Sequence, residues 1–435
     1  MTEDPRAIIA REPMHWRQIL VVGIATALNA LDGFDVLSIS FASPGIASQW
    51  GVDRAALGIV LSMELIGMAF GAFTLGTMAD RFGRRPTVLI CLAIMSSGMG
   101  VASFANGVVM LSALRLFTGI GIGGMLAATN AIAAECSNAK RRNLAVAIMA
   151  GGYPVGAVIG GTIASALLGS TGRWQSIFEF GAVATAAFIP LVLWLVPETI
   201  AFLCDRQPKG AIERINQTMR RQGREALAQL PPPTNSAKLS IAEAFAPGIG
   251  NITILLTVAY FFHIMTFYFL MKWVPKIVTD LGFGASVAGG VLVWANVGGA
   301  TGALTISLLT QRFSVRKLVI GAMFGAALAV AAFGQAHATL TALSLTAGIA
   351  GFFSNGATAG LYAVFVQSFP ARLRAGGTGL VIGIGRGGAA LGPVAAGFLF
   401  AGGMPLALVA LIMACGSLIG AGSLFLLRPS SRHLD

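Results

Sequence analysis

The sequence predicts an all-α integral membrane protein, with twelve transmembrane helices in two pseudo-symmetric bundles of six. Three observations carry that prediction. Mean hydropathy is +0.80 and only 11% of residues are charged, more apolar surface than one or two soluble cores could hide in a chain this long. Apolar stretches recur twelve times, each near the roughly 20 residues needed to cross about 30 Å of hydrocarbon. Basic residues cluster after every second stretch, which a solvated binding surface would not require.

Taken in order, the apolar stretches cover 17–45, 55–79, 86–105, 107–135, 143–169 and 174–197. After a polar interval they resume at 250–279, 284–310, 317–337, 339–369, 375–401 and 403–427. This gives a tail over 1–17, a first bundle over 18–198, a central loop over 199–249, a second bundle over 250–428 and a tail over 429–435. The central loop carries Pro208 and Pro231 to Pro233. Its 209–230 stretch has helix-forming composition, and Ser240 to Glu243 reads as a capping box before the seventh span. Glycines repeat every four residues in the second, fifth, eighth and eleventh spans (Gly67 and Gly71; Gly152, Gly156 and Gly160; Gly298 and Gly302; Gly379, Gly383 and Gly387). Small residues at that period let helices approach closely, and the equivalent places of these spans suggest a seam between the bundles.

The net charge of +12 is topology rather than a nucleic-acid surface. Arg6, Arg11 and Arg17 precede the first span, Arg81, Arg84 and Arg85 follow the second, and Lys140, Arg141 and Arg142 follow the fourth. Arg312, Arg316 and Lys317 follow the eighth, whereas the alternate loops hold little beyond Arg54, Arg173 and Lys276. The positive-inside rule then places both termini in the cytoplasm, so the expected location is the inner membrane. The first span is too long for a signal-peptide core and carries acids. Cys91, Cys136, Cys204 and Cys415 form no metal or redox spacing, and no cofactor is expected.

The most informative residues are charges inside the spans. Asp32 and Asp35 lie mid-way along the first, and a carboxylate there costs a few kcal/mol even on lenient insertion scales. Three residues apart on a helix, they titrate as a coupled pair. Glu64 stands in an otherwise apolar second span, Arg115 in the fourth, Lys272 in the seventh and Arg386 in the eleventh. At 1.5 Å per residue, Arg115 reaches a depth similar to that of the aspartates, which predicts an ion pair between them.

The run from Gly76 to Pro86 resembles the loop signature of the major facilitator superfamily, and Arg115 to Gly124 resembles its fourth-helix motif. Asp32-Gly33-Phe34-Asp35 is similar to the first-helix signature of the aromatic acid:proton symporter family. Asn130, Glu135 and Gly385 to Pro393 fit the same family, while an arginine often found before Phe202 is missing. Lys272 stands where relatives often have a small polar residue. The resemblance implies the major facilitator fold and proton-coupled import of a small aromatic carboxylate by alternating access, in a monomer embedded in lipid.

On that reading Asp32, Asp35, Glu64 and Arg115 handle the proton. Arg386 or Arg115 holds the substrate carboxylate with its two-pronged guanidinium. His263, Phe267, Trp294, Asn296, Asn355 and Tyr362 line the ring site, and Asp80, Arg81, Gly83, Arg84, Arg85 and Glu135 form a cytoplasmic gate. The competing readings are a drug:proton antiporter, which the intramembrane arginines disfavour, and a transporter-like sensor. No nucleophile–base pair or metal cluster points to an enzyme.

Overall fold

The computed structural model describes residues 4–233, 245–246, 249–335, 339–370 and 373–427. The capping box expected over 240–243 lies outside them. Among the described residues all regular structure is helical, and twelve helices are long and apolar enough to cross a membrane. The first half holds α2 (Trp16–Trp50), α3 (Arg54–Phe82), α4 (Arg84–Ala102), α5 (Val108–Glu135), α6 (Arg142–Thr171) and α7 (Gln175–Leu195). The second holds α10 (Gly250–Asp280), α11 (Ala285–Leu309), α12 (Val315–Gln335), α13 (Leu340–Ser368), α14 (Arg374–Ala401) and α15 (Leu406–Leu426). Three short helices, α1 (Pro5–Arg11), α8 (Ile200–Arg206) and α9 (Ala211–Arg221), pack at the basic end of the first half.

The halves repeat one pairing pattern. α3 lies on α5 as α11 lies on α13, α2 on α6 as α10 on α14, and α4 on α7 as α12 on α15. The glycine stripes of α3, α6 and α11 make these pairs rather than the seam that their positions suggested. A Cβ on Gly71 of α3 would run into the Ile120 backbone of α5, one on Gly156 into the Ala30 backbone of α2, and one on Gly302 into Phe352 of α13. The spans that meet across the halves are nevertheless the expected ones, α3 with α14 and α6 with α11. They meet at other positions: Gly58 against Pro393 and Gly397, and Gly161 against Val293.

These cross-half contacts lie at the end away from α1, α8 and α9. There Ser286 donates to the Ser165 carbonyl at 2.7 Å, and Arg54 pairs with Asp280 at 3.0 Å while lying over the Phe400 ring. Toward the basic end the halves separate. The face of α3 that meets α14 runs Gly58, Ser62, Ala69, Phe73, Asp80; the first two are buried, whereas Phe73 is 77% exposed and Ala69 and Asp80 are open. On the facing helix, Gly379 and Gly383 have open space where a Cβ would stand. The structure is thus closed at one end and open at the basic end.

Because Gly156 abuts backbone rather than a movable side chain, Gly156→Ala should cost about 1–3 kcal/mol through forced separation of α2 and α6. Thermal unfolding in detergent measures this. Gly151→Ala, where a Cβ meets nothing, serves as the control and should leave the midpoint unchanged.

Candidate functional site

At the floor of the opening, where the halves close, lies a buried ionic cluster. Arg115, Glu64 and Lys272 all have side chains 0% exposed. Arg115 Nη2 donates to Glu64 Oε1 and, at 3.0 Å, to the Asp35 main-chain carbonyl. Lys272 Nζ donates to Glu64 Oε2 at 3.3 Å and to the Val36 carbonyl. Glu64 therefore bridges a cation of its own half and one from the other half. The Phe178 ring lies under the guanidinium, 5.3 Å from its carbon, and shields it from water.

The aspartate pair is placed differently from the expectation that Arg115 would pair with it. Arg115 reaches the Asp35 backbone; no carboxylate oxygen of Asp32 makes a hydrogen bond among the described residues, and the Asp35 carboxylate has only the Thr185 hydroxyl beside it. Both side chains are buried. The charged groups acting on Asp35 are Arg115 and Glu64, but those acting on Asp32 are two acids, Asp35 and Glu64. Depth arithmetic had matched these residues along the membrane normal. It could not fix the rotation of each helix, which gave the guanidinium to Glu64 instead.

On the second half, Arg386 is half-buried and, among the described residues, makes no hydrogen bond or ion pair. It lies beside Tyr260 and Tyr268 of α10. The Tyr260 hydroxyl meets that of Tyr362 at 3.1 Å, and Tyr268 faces Tyr153 of α6 across the halves. All four tyrosines of the chain therefore gather at the open cavity. Tyr362 was among the residues expected to line the ring site; Tyr153 and Tyr268 were not. Their scarcity, four in 435 residues and all in spans, was the available signal.

The other residues expected to line the ring site divide. Phe267 is half-buried and packs edge-on against Tyr268, with centroids 5.2 Å apart. His263 is sealed between helices, with its ring nitrogens on Ser417 at 3.0 Å and the Ser354 carbonyl at 2.9 Å. Asn355 donates to Gly299 and pins α13 to α11, and Asn296 is buried and donates to the Leu292 carbonyl of its own helix. Trp294 is a correction. It is 58% exposed on the face of α11 shared with Leu304 and Leu308, opposite the buried Leu292 and Asn296, and so points away from the cavity.

At the basic end the signature loop is held within the first half. Gly83, at φ +115°, turns the chain between α3 and α4; a Cβ there would strike the Glu198 carboxylate. Glu198 caps α4 by accepting from the Arg84 and Arg85 amides at 2.9 and 3.2 Å. Burial pushes the Glu198 carboxyl above the usual carboxylate range, against the pull of those amides and that of Thr199. Arg84 pairs with Glu135 at 2.9 Å and Asp80 at 3.2 Å, Arg85 donates to the Leu193 carbonyl, and Arg81 lies over Phe82. Asp80 is 68% exposed. Among the described residues none of these bonds crosses to the second half. No cluster of three or more His, Cys, Asp or Glu side chains suited to a metal occurs among them either.

Twelve spans in two repeated halves, enclosing a one-sided cavity floored by charges, are the architecture of a multi-pass membrane transporter. The fold aligns with the xylose transporter XylE from E. coli at TM-score 0.71 and 17% identity, covering 95% of this chain and 98% of that one. The sequence model of the Major Facilitator Superfamily matches residues 24–227 and 256–435. The 4-hydroxybenzoate transporter PcaK of Pseudomonas putida is 32% identical over 398 residues, 89% of this chain and 88% of the relative. The gallate transporter of the same organism is 29% identical over 410 residues, covering 93% and 91%. The 3-(3-hydroxy-phenyl)propionate transporter of Escherichia coli is 28% identical over 414 residues, covering 94% of each. The chain belongs to the major facilitator superfamily and, within it, to the aromatic acid:proton symporter family.

Arg115→Met should destabilise the folded protein by about 3–5 kcal/mol, because it breaks a buried pair and leaves Glu64 with Lys272 alone. Trp294→Ala, on the outer face, should leave substrate uptake unchanged. Detergent unfolding and vesicle uptake measure the two outcomes.

Proposed function

We propose that the protein imports a small aromatic carboxylate together with a proton by alternating access, and that the closed-end, basic-end-open form described above is its inward-facing state. The basic end is then cytoplasmic, as the distribution of Lys and Arg favours. The observation that carries the substrate reading is Arg386. Of the three cations in the middle of the spans, Arg115 and Lys272 share the Glu64 carboxylate, and Arg386 alone stands half-buried with no acid partner among the described residues. A desolvated guanidinium favours a carboxylate, which its planar fork meets with two hydrogen bonds. Beside it the tyrosine rings offer an aromatic wall with hydroxyl groups, so a ring that itself carries hydroxyls finds partners there. The relatives named above as carriers of gallate, 4-hydroxybenzoate and hydroxyphenylpropionate support the same class of substrate.

The proton role rests on charge balance. Mid-span acids number three (Asp32, Asp35, Glu64) and mid-span cations three (Arg115, Lys272, Arg386), so their formal charges cancel when all six are ionised. A bound monoanion makes the cavity negative in a medium that penalises net charge, and one proton restores neutrality. Asp32 is the acid to take it: its charged neighbours are both acids, and its oxygens have no hydrogen-bond donor that protonation would displace. One proton per monoanion makes the cycle electroneutral. In the outward-facing state α14 closes on α3, and its N-terminus comes to the exposed Asp80.

Reconstituted vesicles test this with labelled 4-hydroxybenzoate. An inward proton gradient should drive accumulation, a protonophore should abolish it, and an imposed membrane potential alone should change it little. Asp32→Asn should uncouple uptake from the pH gradient while exchange of internal for external substrate continues. Arg386→Lys should weaken affinity by about tenfold, the loss of one charge-assisted hydrogen bond. Full proton dependence in Asp32→Asn would refute the proton assignment, and unchanged affinity in Arg386→Lys the carboxylate assignment.

A further inference from the structure

The two halves divide the charges between them. The mid-span acids Asp32, Asp35 and Glu64 all belong to the first half. In the second half, from residue 250 through 434, the sequence contains a single acid, Asp280, which sits at the end of α10 and is engaged by Arg54 and Lys276. Lys272 and Arg386 therefore have no counter-ion in their own half. Arg386 faces the open cavity, but Lys272 is fully buried, and both its partners, the Glu64 carboxylate and the Val36 carbonyl, come from the first half.

We propose that Lys272 is a second, state-dependent site for the substrate carboxylate, and that Glu64 is the internal competitor that empties it. This rests on the carboxylate reading of the substrate given above. Lys272 lies at the inner edge of the closed end. From it outward follow Trp273, whose indole donates to the Pro393 carbonyl, and then the Arg54–Asp280 pair. Opening that end draws α10 away from α2 and α3, so Lys272 loses both acceptors in one movement. Glu64 does not suffer the same loss, because Arg115 stays with it in the first half. The imbalance is chemical: one side of the parting keeps a satisfied ion pair, and the other is left with a lone ammonium at the bottom of an outward cavity. An ammonium in that position requires an anion or water, and the aromatic carboxylate entering from outside is the anion at hand. When the end closes again, Glu64 returns to Lys272 already tethered by Arg115. A tethered carboxylate competes at high effective concentration and displaces the free one. The displaced anion has one mid-span cation left to meet that has no acid partner among the described residues, Arg386 on the side that is now open. Transfer from Lys272 to Arg386 thus carries the substrate carboxylate toward the basic end, and Glu64 makes the transfer directional in space without itself needing to titrate.

Two variants separate this from a merely structural pin. If the Glu64–Lys272 pair only held the halves together, removing either partner would have the same effect. Competition predicts opposite effects. Glu64→Gln should tighten equilibrium binding of 4-hydroxybenzoate to the purified protein by about tenfold, because Lys272 no longer has an internal rival, and should slow net uptake while exchange persists. Lys272→Gln should weaken binding by a similar factor, and Lys272→Arg should restore most of it. A third measurement uses the unaltered protein in vesicles. A membrane-impermeant amine-acylating reagent added at the face opposite the basic end should modify Lys272 during turnover, and saturating 4-hydroxybenzoate should protect it. Changes in the same direction for Glu64→Gln and Lys272→Gln, or a Lys272 that never becomes reactive, would overturn the proposal. Should the unaltered protein bind no aromatic acid at all, the carboxylate reading itself falls. Should it bind with dependence on Arg386 but not on Lys272 or Glu64, only this inference falls.

Discussion

A carboxylate shared between two buried cations governs this structure. Glu64 accepts from Arg115 and Lys272 where all three side chains are removed from solvent. An isolated ion there would cost several kcal/mol, so the burial of each cation is tolerable only because Glu64 is present, and that of Glu64 because the cations are. The same three residues sit on α3, α5 and α10, and they tie the packing of the first half to the contact between the halves. Outward of them the halves interdigitate and close; toward the basic end α3 and α14 part. A carrier needs such a boundary, where one polar contact must be surrendered for the closed end to open.

The arrangement also gives the halves different work. The first is rich in buried acids and holds them on rigid glycine-packed helices, with Gly156 of α6 against Ala30 only two residues from Asp32 on α2. The second presents cations and tyrosines to the cavity and has almost no acid of its own. Under the proposed function, protons and organic anions thereby find their partners on opposite walls of one space. Coupling then needs no long pathway, because both ligands alter the net charge of the same dry cluster.

Much of the architecture was legible in the sequence because hydropathy and basic-residue alternation are local signals. All twelve spans were found, yet the first helix runs to Trp50 and the second starts at Arg54, beyond the apolar stretches themselves, since helices do not stop where hydrocarbon does. The glycine-striped spans were the right ones for the seam, but the stripes of α3, α6 and α11 face helices of their own half and two of the three α14 glycines face open space. Period alone says that something approaches closely, not which helix does. The site was legible by residue type and depth, but not by partner. Glu64 and Lys272 stood out as departures 208 positions apart, and nothing in a single sequence says that they touch. Trp294 was misplaced for the related reason that an aromatic in a span has no marked side until its helix is rotated into the bundle.

Spin-label distances test most directly whether the two ends of the molecule open in alternation about the Glu64–Lys272 contact, with one pair at positions 52 and 281 across the closed end and another at positions 77 and 376 across the open end. Adding 4-hydroxybenzoate at acidic pH should populate a state in which the first distance lengthens and the second shortens together, and Lys272→Gln should raise that population without ligand. Two distances that stay fixed under every condition, or that lengthen in concert, would contradict the account.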